Sequence, residues 1–481
     1  MISNSQSTII NFLWRFTERC GAQIIQVLVF IVLARILAPE AFGTIAILMV
    51  FIKILQVFID SGLGTALIQK KDADSTDFSS VFYFNLGMCI VLYIIMFLSA
   101  PFIASFYNDI SLTPLIRVLS IVLIISGVRN IQQAYVSRNM IFKKFFFATL
   151  GGTIISAIVG IIMAYNGCGV WALVAQQIVK VAIDTLILWI TVDWKPKFLF
   201  SFDKLKGLLS YGWKLLVSAL IETIYNNLRQ LIIGKLYTKV DLAYYNKGHE
   251  IPLLVIANIN TSIDSILLPV MSQEQDNIER VKNITRKAIQ ISTYIIAPIM
   301  IGMGVTSYSF VPLLLTDKWL PCIPFLWIFC ITSVFYPIHT ANLNAIKALG
   351  RSDLFLQLEI WKKVVGLIVL FSTMWYGVMV MAYSLLVTNV LSQIINSWPN
   401  KKLLKYGYIQ QIKDIMPSLC LAVLTGLCMH FFEFFNMGCL TTLIIQIAVG
   451  FIVYISLSYI FKLEMFKYLL ITLNFLLFKK K

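Results

Sequence analysis

The chain has 481 residues, of which 59% are hydrophobic and 13% are charged, and its formal net charge is +16 at pH 7. Soluble domains carry roughly a quarter charged residues, so this composition excludes a soluble globular protein. Apolar stretches of about 20 residues recur along the whole chain, which predicts membrane-spanning helices rather than the short alternating strands of a β-barrel. The fold class predicted is therefore an all-α polytopic membrane protein.

About fourteen spans are predicted from these stretches. The first one contains Arg15, Glu18 and Arg19 and is followed by no small-residue cleavage pattern, so we expect it to remain in the membrane. The tail from Leu463 to Lys481 is amphipathic, and we expect it to lie along the inner membrane surface. The predicted spans are residues 9–35, 41–59, 80–104, 113–135, 146–165, 170–192, 211–235, 250–271, 285–310, 323–345, 354–375, 377–398, 412–434 and 439–461.

The basic residues indicate orientation. Most Lys and Arg residues lie in alternate loops, for example in 129–144, 195–206, 280–287 and 401–413, whereas the other loops hold few. Because cytoplasmic loops are enriched in Lys and Arg, we predict that both termini are cytoplasmic. The same clusters are typical of loops facing anionic lipid headgroups, so we expect membrane lipids and no nucleic acid as partners.

Enzyme and metal-site signatures are missing from the sequence. His249, His339 and His430 are far apart and form no metal-ligand spacing, and the eight cysteines form no CxxC pair. No Walker loop occurs, and the predicted external loops are too short to carry the catalytic groups of a glycan polymerase or ligase. We therefore predict that the protein is not an enzyme and has no cofactor and no bound metal.

Sequence patterns recur at an offset of about 200 residues. The sequence Ile-Asp-Ser at residues 59–61 recurs at 263–265. In that register Gln56 falls opposite Asn260. Each match is short, but the matches keep the same order in both halves, which indicates an internal duplication.

The repeat predicts the organisation of domains. A Gly-Val pair opens the sixth span at 169–170 and the twelfth at 377–378, so each copy holds six spans. An even number makes both copies enter the membrane in the same direction, which predicts two parallel six-helix lobes, 1–205 and 206–405, with substrate sites between them. Residues 406–481 are predicted to form two extra transmembrane helices and the cytoplasmic tail.

Polar residues share one face of the first span, and in the seventh, its repeat partner, Glu222, Asn226 and either Arg229 or Gln230 share a face. Charged side chains are costly inside a bilayer, so such faces usually line a water-filled cavity. The alternative is that they form salt bridges between helices, with the basic residues near the helix ends extending to the headgroups. The residues are Arg15, Glu18, Arg19, Gln23 and Gln26 in the first span, and Lys214, Glu222, Asn226, Arg229 and Gln230 in the seventh.

Three further spans carry charged residues. Asp60 and Asp264 lie near the predicted cytoplasmic ends of the second and eighth spans, where we expect them to cap a helix or anchor a loop. Lys180 and Asp184 lie one turn apart in the sixth span, and either a structural ion pair or a substrate contact of Lys180 would explain them.

Three segments resemble a known transporter family. Residues 34–43 read ARILAPEAFG, residues 60–71 read DSGLGTALIQKK, and residues 167–174 read GCGVWALV. They are similar to the polysaccharide (Wzx-type) flippases of the MOP superfamily, and within it to the branch that exports colanic and teichuronic acids. The resemblance covers residues 1–400 and is looser in the second half.

The resemblance implies two lobes around a V-shaped cavity, alternating access in the bacterial inner membrane, and an undecaprenyl-pyrophosphate-linked oligosaccharide as cargo. A polysaccharide polymerase and glycosyltransferases are candidate protein partners. Proton or sodium coupling would need a carrier, for which Glu18 or Glu222 is available. The basic residues suited to the pyrophosphate and to acidic sugars, chosen from polarity and repeat position, are Arg15, Arg19, Lys180, Lys214 and Arg229.

Two other functions remain open. One is a cation-coupled multidrug or small-solute antiporter of the same superfamily, which would need an acidic, aromatic cavity for cations. The predicted cavity is basic, which favours an anionic cargo. The other is a non-transporting scaffold for glycan assembly enzymes, which a transport assay would separate from both carriers.

Overall fold

A computed structural model describes the backbone of residues 2–60, 62–435 and 437–478, and the side chains of these residues except 2–13, 16, 211 and 472–478. Two parts of the predictions lie outside the described residues. They are Ser61 of the repeated Ile-Asp-Ser sequence and the basic C-terminal end, Lys479–Lys481.

The described chain is helical throughout and contains no β-strand. Twelve of its helical segments are long and apolar enough to cross a membrane. The prediction of an all-α polytopic membrane protein is therefore confirmed. Eighteen α-helices and two short 3₁₀ helices make up the described residues, and they fall into two compact units, Met1–Ala243 (unit 1) and Tyr244–Lys481 (unit 2). The lobe boundary near residue 205 stays a prediction.

Unit 1 contains nine complete helices and the start of a tenth. Helix α9 corresponds to the predicted seventh span, and it is not among the twelve apolar segments because it carries many charged and amide side chains. The helices are α1 (Ile2–Ile36), α2 (Pro39–Asp60), α3 (Leu63–Gln69), α4 (Ser75–Phe106), α5 (Leu112–Leu119), α6 (Ile121–Arg138), α7 (Phe142–Tyr165), α8 (Val170–Thr191), α9 (Phe202–Leu236) and α10 (Lys239–Gln273).

The core of unit 1 lies where α2, α4, α5 and α6 meet. Leu48 and Ile52 of α2 and Ile116 of α5 are almost fully buried there. At one end of α6, Arg138 donates through Nη1 to the carbonyl of Leu67, at 2.6 Å, and through Nη2 to that of Lys71, at 2.7 Å. This basic residue therefore binds an unpaired carbonyl in the last turn of α3 and another just beyond the helix, and it joins α6 to that end of α3.

Two glycines explain where matching helices of the repeat begin. As predicted, α8 starts at Val170 and the corresponding helix of unit 2 starts at Val378. The preceding residues, Gly169 and Gly377, have φ angles of 55° and 106°. A side chain would be strained in this left-handed region, so glycine is needed where the chain turns into each helix.

Unit 2 begins within α10 and contains eight further helices. Helix α14 corresponds to the predicted eleventh span, and like α9 it carries too many charged residues to belong to the twelve apolar segments. The helices are α11 (Ile278–Leu315), α12 (Ile323–Val334), α13 (Tyr336–Ala348), α14 (Ser352–Thr373), α15 (Val378–Leu403), α16 (Tyr408–Phe431), α17 (Cys439–Ile460) and α18 (Glu464–Phe478), with 3₁₀ turns at Asp317–Cys322 and Phe432–Phe435.

Helix α11 is the centre of unit 2. It packs against α12 and against α16 and α17, the two helices beyond the predicted repeat. The Tyr294 hydroxyl donates to Ser458 Oγ and the Tyr454 hydroxyl donates to the Tyr294 carbonyl, both at 2.7 Å. These bonds connect α11 to α17, so the two extra helices form part of this unit.

The amphipathic tail forms α18. Its apolar side chains, among them Met465 and Phe466, pack against the buried cluster of unit 2 that includes Met300. The ammonium group of Lys287 lies 6.0 Å from the ring centre of Tyr468. The first turns of the tail therefore pack partly against the protein itself, and its place at the membrane surface remains a prediction.

Candidate functional site

The polar face of α1 is partly used for packing against α7. Arg15 Nη1 donates to Glu18 Oε2 at 2.8 Å, and the Thr149 hydroxyl of α7 donates to Glu18 Oε1 at 2.9 Å. The Arg15 guanidinium carbon lies 4.8 Å from the ring centre of Phe142 and 4.3 Å from that of Phe145. Glu18 is buried, so its carboxylate is stabilised by these hydrogen bonds rather than by water.

A second group of charges lies where α6, α7 and α8 meet. Arg129 Nη1 of α6 donates to Asp184 Oδ2 of α8 at 3.2 Å, and both side chains are largely buried. The charges of Lys180 and Glu18 also act on Asp184. A Cβ added to Gly152 of α7 would lie 1.9 Å from Asp184 Oδ1, so this glycine lets α7 approach the carboxylate.

Arg129 belongs to a basic cluster that predicted a cytoplasmic loop. It lies inside α6, well before that helix ends at Arg138, and its partner Asp184 is on another helix. The sequence pointed instead to Lys180 as the partner of Asp184, because the two are one turn apart. The sequence does hold one signal for this role of Arg129, which is its position inside the predicted span 113–135.

The polar face of α9 remains exposed. Lys214, Ser218, Glu222 and Asn226 follow one another at intervals of four residues, and all four side chains are exposed. Residues at this spacing share one face of a helix. A lysine, a carboxylate and an amide in a predicted span are costly against hydrocarbon, so this face requires water or a polar ligand. We call these four residues the α9 stripe.

The remaining predicted site residues differ in exposure. Arg19 of α1 is exposed, whereas Gln23 of α1 and Lys180 of α8 are half-buried. Arg229 is half-buried one turn beyond the α9 stripe, and both it and Gln23 have polar or electrostatic contacts within the protein.

Asp60 and Asp264 each bind an asparagine on a neighbouring helix. Asn130 Nδ2 of α6 donates to Asp60 Oδ1 at 3.0 Å, and Asn344 Nδ2 of α13 donates to Asp264 Oδ1 at 2.6 Å. Asp60 is the last residue of α2, as a helix-end role requires, whereas Asp264 lies well before α10 ends at Gln273. Both carboxylates are exposed.

Unit 2 buries a group of amides between α13, α15 and α16. Asn342 Nδ2 donates to Gln411 Oε1 at 2.8 Å and to Ser397 Oγ at 3.2 Å, and Asn400 Nδ2 donates to Asn342 Oδ1 at 2.6 Å. These four side chains are almost fully buried. No motif or spacing in the sequence identifies Asn342 as part of such a group, although it falls within the predicted span 323–345.

Metal ligands are not grouped in the described part of the chain. No set of three or more His, Cys, Asp or Glu side chains there could hold a metal ion. The described residues offer hydrogen bonding and charge in three places: an exposed stripe on α9, ion pairs inside unit 1 and amides inside unit 2.

Comparison with protein families gives one match. A family model described as "Polysaccharide biosynthesis protein" matches residues 32–324. This range covers more than half of the chain. It includes the whole of the segments 34–43 and 60–71 and the whole α9 stripe.

Known proteins of similar sequence and structure agree with that match. The teichuronic acid biosynthesis protein TuaB of Bacillus subtilis is 22% identical over 84% of this chain and 85% of its own length. The lipopolysaccharide biosynthesis protein WzxC of Escherichia coli is 23% identical over 69% of this chain and 68% of its own. A structure of the lipid II flippase MurJ in an inward closed conformation covers 94% of this chain and 98% of its own, with a TM-score of 0.74 and 16% identity.

Proposed function

Because the chain belongs to the polysaccharide biosynthesis protein family, we propose that it is a flippase that moves lipid-linked oligosaccharide across the inner membrane of a bacterium. Relatives named for teichuronic acid and lipopolysaccharide biosynthesis support a glycan cargo. MurJ shares the fold, and that protein is named a lipid II flippase. The cargo proposed is an undecaprenyl-pyrophosphate-linked oligosaccharide, carried by alternating access.

The α9 stripe is the observation that carries this proposal. A diphosphate with several sugars cannot cross hydrocarbon unaided, because each polar group would lose its hydration. Lys214 offers a cation to the phosphates, while Ser218, Glu222 and Asn226 offer hydrogen-bond partners to sugar hydroxyls. An exposed polar face within a span provides the substitute for water that such a cargo needs.

We assign cargo contact to the exposed residues among those predicted. Arg19 on α1 and Lys214 on α9 are exposed, so their charges are available to an anionic cargo. Arg15 and Glu18 contact each other and α7, which supports a packing role for this pair. Lys180 and Arg229 remain candidates for the diphosphate.

The proposed orientation keeps both termini in the cytoplasm. It rests on the concentration of Lys and Arg in alternate loops. Introduced cysteines at Lys204 and Lys402 should react with a membrane-impermeant maleimide only from the cytoplasmic side, and a cysteine at Asn166 only from outside. Labelling of positions 204 and 166 from the same side would overturn the orientation.

Transport by the purified protein tests the function directly. The wild type would be placed in liposomes with a polyprenyl-diphosphate oligosaccharide bearing a nitrobenzoxadiazole group, and dithionite would quench the label in the outer leaflet. A flippase should let the label of the inner leaflet become accessible over time. Liposomes without protein should keep that label protected.

Two control cargoes separate the competing functions. Labelled phosphatidylglycerol should cross far more slowly than the glycan lipid, because it has no diphosphate or sugars for the α9 stripe to bind. Movement of a cationic dye down an imposed proton or sodium gradient, without movement of the glycan lipid, would favour the multidrug antiporter. Movement of none of the three would favour the scaffold, and either result would overturn the proposal.

A further inference from the structure

Both units join matching helices by a similar pair of side-chain hydrogen bonds, although the first bond of each pair runs in the opposite direction. In unit 1, Gln56 Nε2 of α2 donates to Ser126 Oγ of α6 at 3.4 Å, one helical turn before the bond from Asn130 to Asp60. Both bonds join residues 70 apart in the sequence. The 3.4 Å contact is long, so the bond to Asp60 is the stronger of the two.

Unit 2 repeats this arrangement between α10 and α13. The Thr340 hydroxyl donates to Asn260 Oδ1 at 2.6 Å, one turn before the bond from Asn344 to Asp264. Both bonds join residues 80 apart. Each unit therefore has an amide–hydroxyl contact followed one turn later by a carboxylate–amide contact, and we call each such pair of bonds a latch.

The surroundings of the two latches have diverged. Next to Asn130 stands Arg129, which pairs with Asp184, whereas next to Asn344 stands Leu343, which is apolar. Both halves keep the carboxylate and its amide donor although the neighbouring residues differ. This indicates that the protein needs the latch itself.

Exposure shows what each latch connects. Asp60 and Asp264 are exposed, whereas Asn344 is 1% exposed and Asn130 is half-buried. The amide oxygens of both asparagines are buried and have no hydrogen-bond partner in the described part of the chain. Each asparagine thus contributes its NH₂ group to the carboxylate and joins the helix that carries it, α6 or α13, to the neighbouring helix α2 or α10.

We infer that Asp60 and Asp264 are positioning residues for cargo movement, each holding its helix, α2 or α10, against the helix that carries the partner asparagine. This inference rests on the proposed function. The role assigned to each carboxylate is to hold helices together, not to contact cargo. A unit whose latch is broken should still bind cargo but should change conformation less productively, because α2 or α10 is no longer held to its neighbouring helix at this point.

The test compares Asp264→Ala, Asp264→Asn and the control Ser265→Ala. Asparagine keeps an acceptor oxygen for Asn344, whereas alanine removes it. Ser265 is exposed beside Asp264, and its hydroxyl donates to the Ser262 carbonyl of the same helix at 2.8 Å. It is therefore a control at a neighbouring position that takes no part in the latch. Asp60→Ala and Asp60→Asn provide the same comparison in unit 1.

Two measurements are made on each protein in lipid nanodiscs or liposomes. Hydrogen–deuterium exchange of residues 336–348 should rise in Asp264→Ala, rise less in Asp264→Asn and stay unchanged in Ser265→Ala. The maximal flipping rate of the labelled glycan lipid should fall about tenfold in Asp264→Ala, as loss of one charge-assisted bond implies, with the half-saturating cargo concentration unchanged. Asp264→Asn should recover part of that rate.

Each other outcome contradicts the inference. Unchanged exchange in Asp264→Ala would mean that the latch holds nothing. Raised exchange with an unchanged flipping rate would make the contact structural only, and a changed half-saturation with an unchanged maximal rate would place Asp264 against cargo. A wild type that moves no glycan lipid would overturn the proposed function and this role with it, whereas the exchange result alone would still show whether the latch forms.

Discussion

The two units bury polar side chains at corresponding helix junctions but use different chemistry. Unit 1 places an ion pair, Arg129 with Asp184, between α6 and α8. Unit 2 places neutral amides, Asn342 with Asn400, between α13 and α15, the helices that match α6 and α8 in the predicted repeat. Removing one partner of a buried ion pair lowers the stability strongly, because the other charge stays buried without a partner. Amides can be lost at lower cost, so the comparison predicts that unit 1 is the less tolerant unit.

Asp184→Ala should give the largest loss of stability. It leaves Arg129 buried without its carboxylate, and removal of one partner of a buried pair costs about 3–5 kcal/mol. Thermal unfolding of the purified protein measures this loss. The double variant Arg129→Leu/Asp184→Leu, which removes both charges, should be more stable than Asp184→Ala. A double variant no better than the single one would show that packing, not charge, makes this junction sensitive.

The ion pair also shows how far the sequence could predict the site. Apolar stretches of span length and the Gly-Val repeats predicted the helices and the starts of α8 and α15, because these depend on local composition and backbone geometry. The partner of Asp184 could not be predicted, because it lies on α6 and no spacing along one helix identifies it. The exposure of the two glutamates could not be predicted either. Both lie on polar faces of matching spans, yet Glu18 is buried against α7 and Glu222 is exposed.

Asn342→Ala should have a smaller effect in unit 2. It removes the partner of Gln411 and of Asn400, and each buried polar group left unpaired costs about 1–3 kcal/mol. Thermal unfolding compared with that of Asp184→Ala tests the contrast between the units. A loss larger than that of Asp184→Ala would reverse the comparison.

Gly152→Ala should destabilise unit 1 by steric overlap. The added Cβ would lie 1.9 Å from Asp184 Oδ1 and 2.8 Å from the Lys180 carbonyl oxygen. Overpacking of this kind costs about 1–3 kcal/mol. Gly87→Ala is the matched control, since a Cβ at Gly87 of α4 would meet no atom within 4 Å. Equal melting temperatures for the two variants would mean that α7 can move away from α8 without cost.

The smallest expected effect is an acid sensitivity at the start of α4. The hydrogen bond from Lys204, with that from the Asp77 amide, lowers the pKa of Asp74 to about 2. An Asp carboxyl in an unfolded chain has a pKa of about 3.9. The stability that Asp74 gains from its lowered pKa is therefore complete above that pH and is lost as the pH falls towards 2. The exposed pair contributes little. The melting temperature of the wild type should exceed that of Asp74→Asn at pH 5 by a small margin that shrinks towards pH 2, and a constant margin would argue against this titration.

The most direct test of the proposed function is flipping by Lys214→Gln. Loss of a charge-assisted bond to diphosphate, about 1.5–3 kcal/mol, should raise the half-saturating concentration of labelled glycan lipid about ten- to a hundredfold. Lys206→Gln, an exposed lysine near the start of the same helix, should leave it unchanged. The melting temperatures of both variants should equal that of the wild type, because Lys214 is exposed. An Lys214→Gln protein that flips glycan lipid with wild-type half-saturation would contradict cargo binding by the α9 stripe.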